Sequence, residues 1–247
     1  MYLLNLTLET LAENLALDEA LLEASEAGEI PQGVLRLWES PQMGVILGRS
    51  SSHEIEVRLT ACQAAQIAVL RRSSGGGTIV AGPGCLMYAV VLPLAAYPQL
   101  QAIDRCHQFV LERMTDILSP FLPRVAKAGT SDLAFLPSAS GSPQKFSGNA
   151  MRIKRRNVLY HGTLLYDFDL QQISDLLATP TREPEYRQGR LHSQFVSNVR
   201  LSKKTLVQTL TAGWGANEPM ASWPQSRTRE LAQTKYHSNE KWVIYQP

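Results

Sequence analysis

Ile67-Ala68-Val69-Leu70-Arg71-Arg72-Ser73-Ser74-Gly75-Gly76-Gly77-Thr78 is the stretch of the chain that carries most information. A short apolar run ending directly in two arginines reads as a strand that opens into a glycine-rich turn. Three consecutive glycines let a ligand approach the main chain closely, and they can present successive N–H donors to an anion. The two arginines add forked donors suited to carboxylate or phosphate. Two phosphate-binding loops are excluded, because no Gly-Lys-Ser/Thr follows and the third glycine of the dinucleotide fingerprint is missing at its spacing. On this chemistry alone, Ser74 to Thr78 is either an anion site or a flexible turn with solvated arginines.

A second informative stretch runs from Lys145-Phe146-Ser147-Gly148-Asn149-Ala150 to Tyr160-His161-Gly162-Thr163-Leu164-Leu165. A lysine just ahead of a Ser147-Gly148 turn can reach a phosphate or polarise a carbonyl. The plainer reading is a surface lysine before a tight turn. His161 lies inside an apolar strand, where a histidine is more often a hydrogen-bonded structural residue than a catalyst. Asp132, within Gly129 to Leu133, could hold a metal or a ribose hydroxyl, or simply cap a turn.

Around these stretches the periodicity predicts a helix over 8–27 stopped by Gly28, strands over 34–38 and 44–48, and a helix from Glu54 to Gln66 with Ser52 as its cap. Strands are expected over 67–70, 86–92, 124–127, 132–135 and 157–166, a helix over 101–118, and a Ser/Gly/Pro-rich loop from Pro137 to Ser147. From about residue 170 the pattern turns helical, near 170–177, 202–212 and 226–236, before Trp242-Val243-Ile244-Tyr245. This order predicts an α+β fold, a mixed sheet up to roughly residue 180 and then a helical tail packed on it. The 247 residues suit one large domain with a small appendage.

Composition narrows the classes of function. A net charge of +2 demands no polyanionic partner. The densest basic run (Arg152, Lys154, Arg155, Arg156) has no interleaved aromatics, so it reads as a solvated hairpin tip or a rim for an acidic carrier protein, not as a nucleic-acid surface. No signal peptide and no membrane span is evident. Cys62, Cys85 and Cys106 are odd in number and show no metal-ligand spacing, which points to buried reduced thiols in a cytoplasmic protein.

In order along the chain, these pieces resemble the lipoate-protein ligase A family of the biotin/lipoate ligase superfamily. The resemblance runs from NLALDEALL (14–22) through LRLWESPQMGVILGRSS (35–51) and RRSSGGGTIVAGPGCLMYAVV (71–91) to GTSDL (129–133), KFSGNAMR (145–152) and YHGTLL (160–165). The last three look like the family's [ND]-D-[LV], K-x-S-G-x-A and H-G-[ST]-L-L elements. The resemblance implies a single catalytic domain over 1–247, with a mixed β-sheet flanked by helices and a short helical C-terminal tail. It implies an enzyme that activates lipoate or octanoate as an acyl-adenylate with ATP and Mg2+ and passes the acyl group to a lysine of a lipoyl carrier domain or a glycine cleavage H-type protein.

Carried over, Lys145 is the lysine that contacts the acyl carbonyl and the α-phosphate. Arg72, Ser74, Gly75, Gly76, Gly77 and Thr78 form the loop at the acyl carboxyl end. Asp132 lies near the nucleotide and the metal. Ser147, Gly148 and Ala150 belong to the lysine motif, and His161, Gly162 and Thr163 to the strand beside the acyl tunnel.

The length leaves no room for the C-terminal accessory domain that bacterial members often carry, so a separate accessory subunit is one expectation, and a monomer is another. The alternatives are an ATP-independent octanoyl or lipoyl transferase between carriers and a non-catalytic lipoyl-binding protein. Transferases use a cysteine, and where one type places it three residues before the histidine this chain has Val158. A biotin-protein ligase would carry a GRGRxG-type loop instead of RRSSGGG. Arg187, Arg190 and His192, within Pro184 to Asn198, read as a surface that docks a carrier or a phosphate.

Overall fold

The computed structural model describes residues 1–137, 141–178 and 183–247. The chain opens with β1 (Tyr2–Asn5), α1 (Leu11–Ala27), β2 (Val34–Trp38) and β3 (Gly44–Leu47), followed by α2 (His53–Glu56), α3 (Leu59–Ala64) and β4 (Ala68–Arg71). Next come β5 (Ile79–Ala81), β6 (Cys85–Pro93), α4 (Ile103–Leu118), β7 (Val125–Ala128), β8 (Asp132–Phe135), β9 (Gln144–Ile153) and β10 (Asn157–Leu165). The chain ends with α5 (Gln171–Leu176), α6 (His192–Phe195), α7 (Lys203–Trp214), β11 (Glu218–Pro219), α8 (Gln225–Thr234) and β12 (Val243–Tyr245). Two mixed sheets result, ordered β11-β1-β2-β6-β10-β9-β8-β7 and β12-β4-β3-β5. This is the α+β architecture that the sequence implied. Among the described residues, no helix is long and apolar enough to cross a membrane.

Helix α1 begins at a capping box, in which the Thr10 hydroxyl accepts from the Glu13 N–H and the Glu13 carboxylate accepts from the Thr10 N–H. It ends at left-handed Gly28. The helix is not the half-solvated amphipathic element that its spacing suggested, because Asp18 and Glu19 are both buried. Asp18 pairs with the fully buried Arg36 of β2 at 2.5 Å. Glu19 accepts from Lys235, Tyr236 and Arg152 and so fastens α8 and β9 to α1.

The basic run does lie at the hairpin tip between β9 and β10, but only part of it is solvated. Arg152 bonds Glu19, Lys154 bonds Glu23 at 3.4 Å, and the Arg156 N–H donates to the Glu26 carboxylate at 3.0 Å. Glutamates at 19, 23 and 26 lie on one stripe of α1, so the charges of Arg152 and Lys154 are paired inside the chain, whereas Arg155 and Arg156 are exposed and the Arg156 guanidinium donates to the Glu26 carbonyl.

Three further expectations change. The helix foreseen over 54–66 is two short ones, because extended Val57 leaves the helical path to bridge Leu177. Ser52 makes no side-chain cap bond there. The Lys145–Gly148 stretch is not a loop and turn but part of β9, which pairs with β10 on one side and β8 on the other. Residues 138–140 of the foreseen loop lie outside the described residues. The C-terminal region is woven into both sheets, since β11 adds to β1 and β12 adds to β4.

Candidate active site

A pocket opens where the glycine loop following β4 faces strands β9 and β10. Its inner wall is apolar, made by Leu15, Trp38, Ile46, Ile79 and Met87, and its outer end is polar, made by Lys145, Asp132, Ser131 and Asn149. Of the residues expected at the site, Arg72, Gly77, Thr78, Asp132, Lys145, Gly148, Ala150, His161, Gly162 and Thr163 line this pocket. Ser74, Gly75, Gly76 and Ser147 do not line it. Ser74 and Ser147 are buried, whereas Gly75 is half-buried and Gly76 exposed, the latter against Ala150 and Asn149 of β9.

The loop is fixed from within. The guanidinium of Arg72, buried at 6% exposure, donates to Ser74 Oγ (3.0 Å) and to the carbonyls of Ile46 (3.2 Å), Gly75 (2.5 Å) and Gly77 (2.9 Å). Burial pulls its pKa down to about 10, and Glu56 acts against that shift. Arg71 likewise donates to the carbonyls of Gly48 and Ser51. Neither arginine is therefore the free anion clamp that the sequence suggested. A buried cation without an adjacent carboxylate needs carbonyl acceptors, and the loop supplies them.

The carbonyl of Gly76 packs on Gly48 so closely that a Cβ there would lie 1.8 Å from it, and Gly76 itself has φ +82. Thr78 is held by the Glu56 carboxylate, at 2.6 Å from its hydroxyl. With its carbonyls turned to Arg72, the loop leaves the amides of Gly75, Gly76 and Gly77 without hydrogen-bond partners among the described residues.

A buried polar chain reaches the same loop from the opposite side. Ser74 Oγ lies 2.6 Å from His161 Nε2, and His161 Nδ1 lies 3.4 Å from Asp18 Oδ2. Asp18 can only accept, so Nδ1 carries a proton toward it. Burial raises the Asp18 carboxyl, but Arg36 and His161 outweigh this and the net shift is downward. His161 is thus a hydrogen-bonded structural residue that also lines the pocket.

Lys145 is placed quite differently from the arginines. Among the described residues its amine makes a single ion pair, with Asp132 Oδ1 at 2.8 Å, and 27% of its side chain is exposed. Gly148 leaves room for it, because a Cβ there would lie 2.8 Å from Nζ. The second Asp132 oxygen accepts from the Tyr186 hydroxyl at 2.8 Å. Burial, and then Asp132, push the Tyr186 phenol pKa upward, so it remains a donor.

Arg187 and Arg190, expected on a docking surface, instead flank the Phe195 ring at 4.9 and 5.3 Å, and Arg187 is buried. His192 is packed against the Ala178 carbonyl. Among the described residues, no group of three or more His, Cys, Asp or Glu is arranged to hold a metal. All three cysteines are buried and none lines the pocket. Burial pushes Cys85 and Cys106 well up, away from thiolate.

Sequence reasoning missed Asp18, Arg36, Trp38, Asn149 and Tyr186. An arginine inside the run Val34-Leu35-Arg36-Leu37-Trp38 was the available signal for a buried ion pair. Tyr186 had none, because it meets Asp132 across 54 residues.

The α+β scaffold is that of lipoate-protein ligases of known structure. A lipoate protein ligase from Thermoplasma acidophilum, described as bi-partite and, with its E2 lipoyl domain, as part of an archaeal lipoylation system, superposes with a TM-score of 0.80 at 23% identity, covering 97% of this chain and 94% of that one. A lipoate-protein ligase A bound with ATP gives a TM-score of 0.71 at 22% identity, covering 97% and 96%. The family described as lipoyl protein ligase A/B catalytic domain matches residues 10–211, and the chain belongs to it. A protein of Aeropyrum pernix named as a lipoate-protein ligase A is 27% identical over 243 residues, which is 93% of this chain and 87% of that protein. The chain spans only 45% of a longer relative from Mycoplasma pneumoniae, 28% identical over 164 residues.

Proposed function

We propose that this chain activates lipoate, or octanoate, as its adenylate and passes the acyl group to a lysine of a lipoyl carrier domain or glycine cleavage H-type protein. The observation that carries this reading is Lys145, which among the described residues is the lone lysine lining an apolar pocket, at its polar end and facing the glycine loop. The apolar wall of Trp38, Ile46, Ile79 and Met87 takes the hydrocarbon tail. The acyl carboxylate then comes to lie toward the unpartnered loop amides, of which that of Gly77 belongs to a residue lining the pocket.

An oxygen of that carboxylate attacks the α-phosphorus of ATP, the α–β phosphoanhydride bond breaks, and pyrophosphate leaves. Lys145 neutralises charge on the α-phosphate. In the second half, the carrier amine attacks the acyl carbonyl, the amine loses a proton, and AMP departs. Fixed N–H donors and the lysine stabilise the oxyanion that forms there. Mg2+ ordinarily uses one or two carboxylates together with substrate phosphates; Asp132, the carboxylate at this site, has both oxygens engaged, by Lys145 and by the Tyr186 hydroxyl, so the ion would be carried by the ATP phosphates. When bound, the ion would neutralise charge on the leaving pyrophosphate. Similar structures that hold ATP or lipoic acid, and a similar ligase described together with its E2 lipoyl domain, support this reading of substrates and partner.

A thioester route is not favoured, since it would need a thiolate in the pocket. A separate accessory subunit is compatible with this reading.

Pyrophosphate release from Mg-ATP, measured with and without lipoate or octanoate, tests the proposal. Acid-dependent release is expected. Its absence, together with acyl transfer from a preloaded carrier without ATP, would replace adenylation by the transferase reading.

A further inference from the structure

The segment that follows α5 returns across β8 and β9. Its Val196 bridges Lys145, and the Ser197 N–H donates to the Lys145 carbonyl at 2.9 Å. Its other end, Glu185–Arg187, forms a single 3-10 turn. Between these two points the segment is assembled around Phe195. The Tyr186 ring packs on Phe195 at 5.1 Å between centroids, and the two neighbouring arginines lie against the same ring. Arg190 further ties the segment down by donating to the carbonyls of Tyr186 (2.8 Å) and Pro143 (3.0 Å). On the opposite side Gly129, at φ +54, provides the space Tyr186 occupies, because a Cβ there would lie 3.2 Å from its ring. All these contacts aim one phenol at one buried carboxylate.

We infer that Tyr186 is a positioning residue for Lys145, acting through Asp132. Asp132 divides its two oxygens between two donors, Oδ1 to Lys145 and Oδ2 to the Tyr186 hydroxyl, each at 2.8 Å. Because the phenol holds Oδ2, the ammonium is held by one oxygen only and keeps its remaining N–H donors for the pocket. Asp132 is 6% exposed, so without the phenol Oδ2 would be a buried acceptor with no donor. The nearest cation able to satisfy it is Lys145 itself. The lysine is then drawn into a two-oxygen contact with Asp132 and away from substrate. The inference rests on the adenylation reading only in taking Lys145 to act on substrate.

The test compares Tyr186→Phe, which keeps the ring, with Tyr186→Leu, which removes it. For Tyr186→Phe the expected result is a kcat for lipoate-dependent pyrophosphate release at least tenfold lower, with an unchanged KM for lipoate and an unchanged melting midpoint. In an Asp132→Asn background the same change should have no further effect, since the shared carboxylate is gone. A Tyr186→Phe variant with wild-type kcat, beside an impaired Tyr186→Leu, would reduce Tyr186 to packing and overturn the inference.

A second readout does not depend on turnover. It is the rate at which dilute acetic anhydride acetylates Lys145, followed by peptide mass spectrometry with Lys127 and Lys203 as internal controls. Capture by two oxygens should slow Lys145 at least threefold in Tyr186→Phe and leave the controls unchanged, whereas equal rates would overturn the inference. If the wild type neither releases pyrophosphate nor lipoylates a carrier, the functional reading has failed, and the acetylation rates alone decide the role of Tyr186.

Discussion

The two walls of the pocket use their cations in opposite ways. On the loop wall, Arg71 and Arg72 direct their donors to main-chain carbonyls, and Arg72 is closed off from water. On the β9 wall, Lys145 has, among the described residues, one carboxylate contact and a partly exposed side chain. A planar guanidinium suits the first task because its donors lie in a fixed fork that several carbonyls can satisfy together. A point charge on a flexible stem suits the second, because it can exchange one partner for another. The arginines therefore hold the loop's shape, and the lysine is the charge free to follow substrate.

The largest expected effect tests the buried chain behind the loop wall. Asp18→Ala leaves the fully buried Arg36 without its counterion and should cost about 4 kcal/mol of stability, read by urea or thermal unfolding. A loss below about 1 kcal/mol would mean that Arg36 finds other acceptors, and the loop would not depend on that chain.

Next is Arg72→Ala. Removing the fork leaves the carbonyls of Ile46, Gly75 and Gly77 without that donor and should cost about 3 kcal/mol. Arg72→Lys should recover only part of this, since a lysine cannot span the same acceptors. Full recovery would break the contrast between the fork and the point charge.

A smaller effect concerns pH. Burial raises the carboxyls of Asp18 and Glu19, but Arg36 and His161 for the first, and Lys235, Tyr236 and Arg152 for the second, outweigh it and lower both. A lowered carboxyl contributes stability that is complete above its ordinary value, 3.8 for Asp18 and 4.5 for Glu19, and is lost as pH falls through the lower folded value. The melting midpoint should therefore be flat between pH 6 and 8 as far as these two groups are concerned, and fall steeply below about pH 4. In Asp18→Asn the acid limb should become shallower.

The smallest effect is expected at Arg155, the exposed basic residue left out of the ladder to α1. Arg155→Glu should change stability by less than about 0.5 kcal/mol and leave the rate of carrier modification unchanged. A large fall in that rate, with KM for the carrier rising, would restore the hairpin tip as a carrier-binding rim.

Much of the strand framework was legible because strands such as β6 and β10 are long, apolar and bounded by turn residues. Lys145, Asp132 and the glycine loop were legible because each sits in a local motif. What the local pattern hid were effects of distance. Val57 looks helical until Leu177 draws it into a bridge, and Lys145-Phe146-Ser147-Gly148 looks like a turn until strands on both sides provide its hydrogen bonds. The same limit explains Arg72, which looked like an anion ligand because the carbonyls that surround it cannot be seen in a string of glycines. It also explains the basic run 152–156, whose partners Glu19, Glu23 and Glu26 lie more than a hundred residues earlier.

Lys145→Ala tests the account most directly, with the melting midpoint and mass-spectrometric lipoylation of a carrier domain measured on the same preparation. Lys145 contributes charge at the pocket and little to the packing around it. The predicted result is a folded protein with a modestly lower melt, since Asp132 keeps the Tyr186 donor, and lipoylation reduced at least about a hundredfold, the scale expected when a preorganised charge at the reacting centre is removed. A variant that melts normally and lipoylates at the wild-type rate would contradict the assignment of the acting cation to the β9 wall.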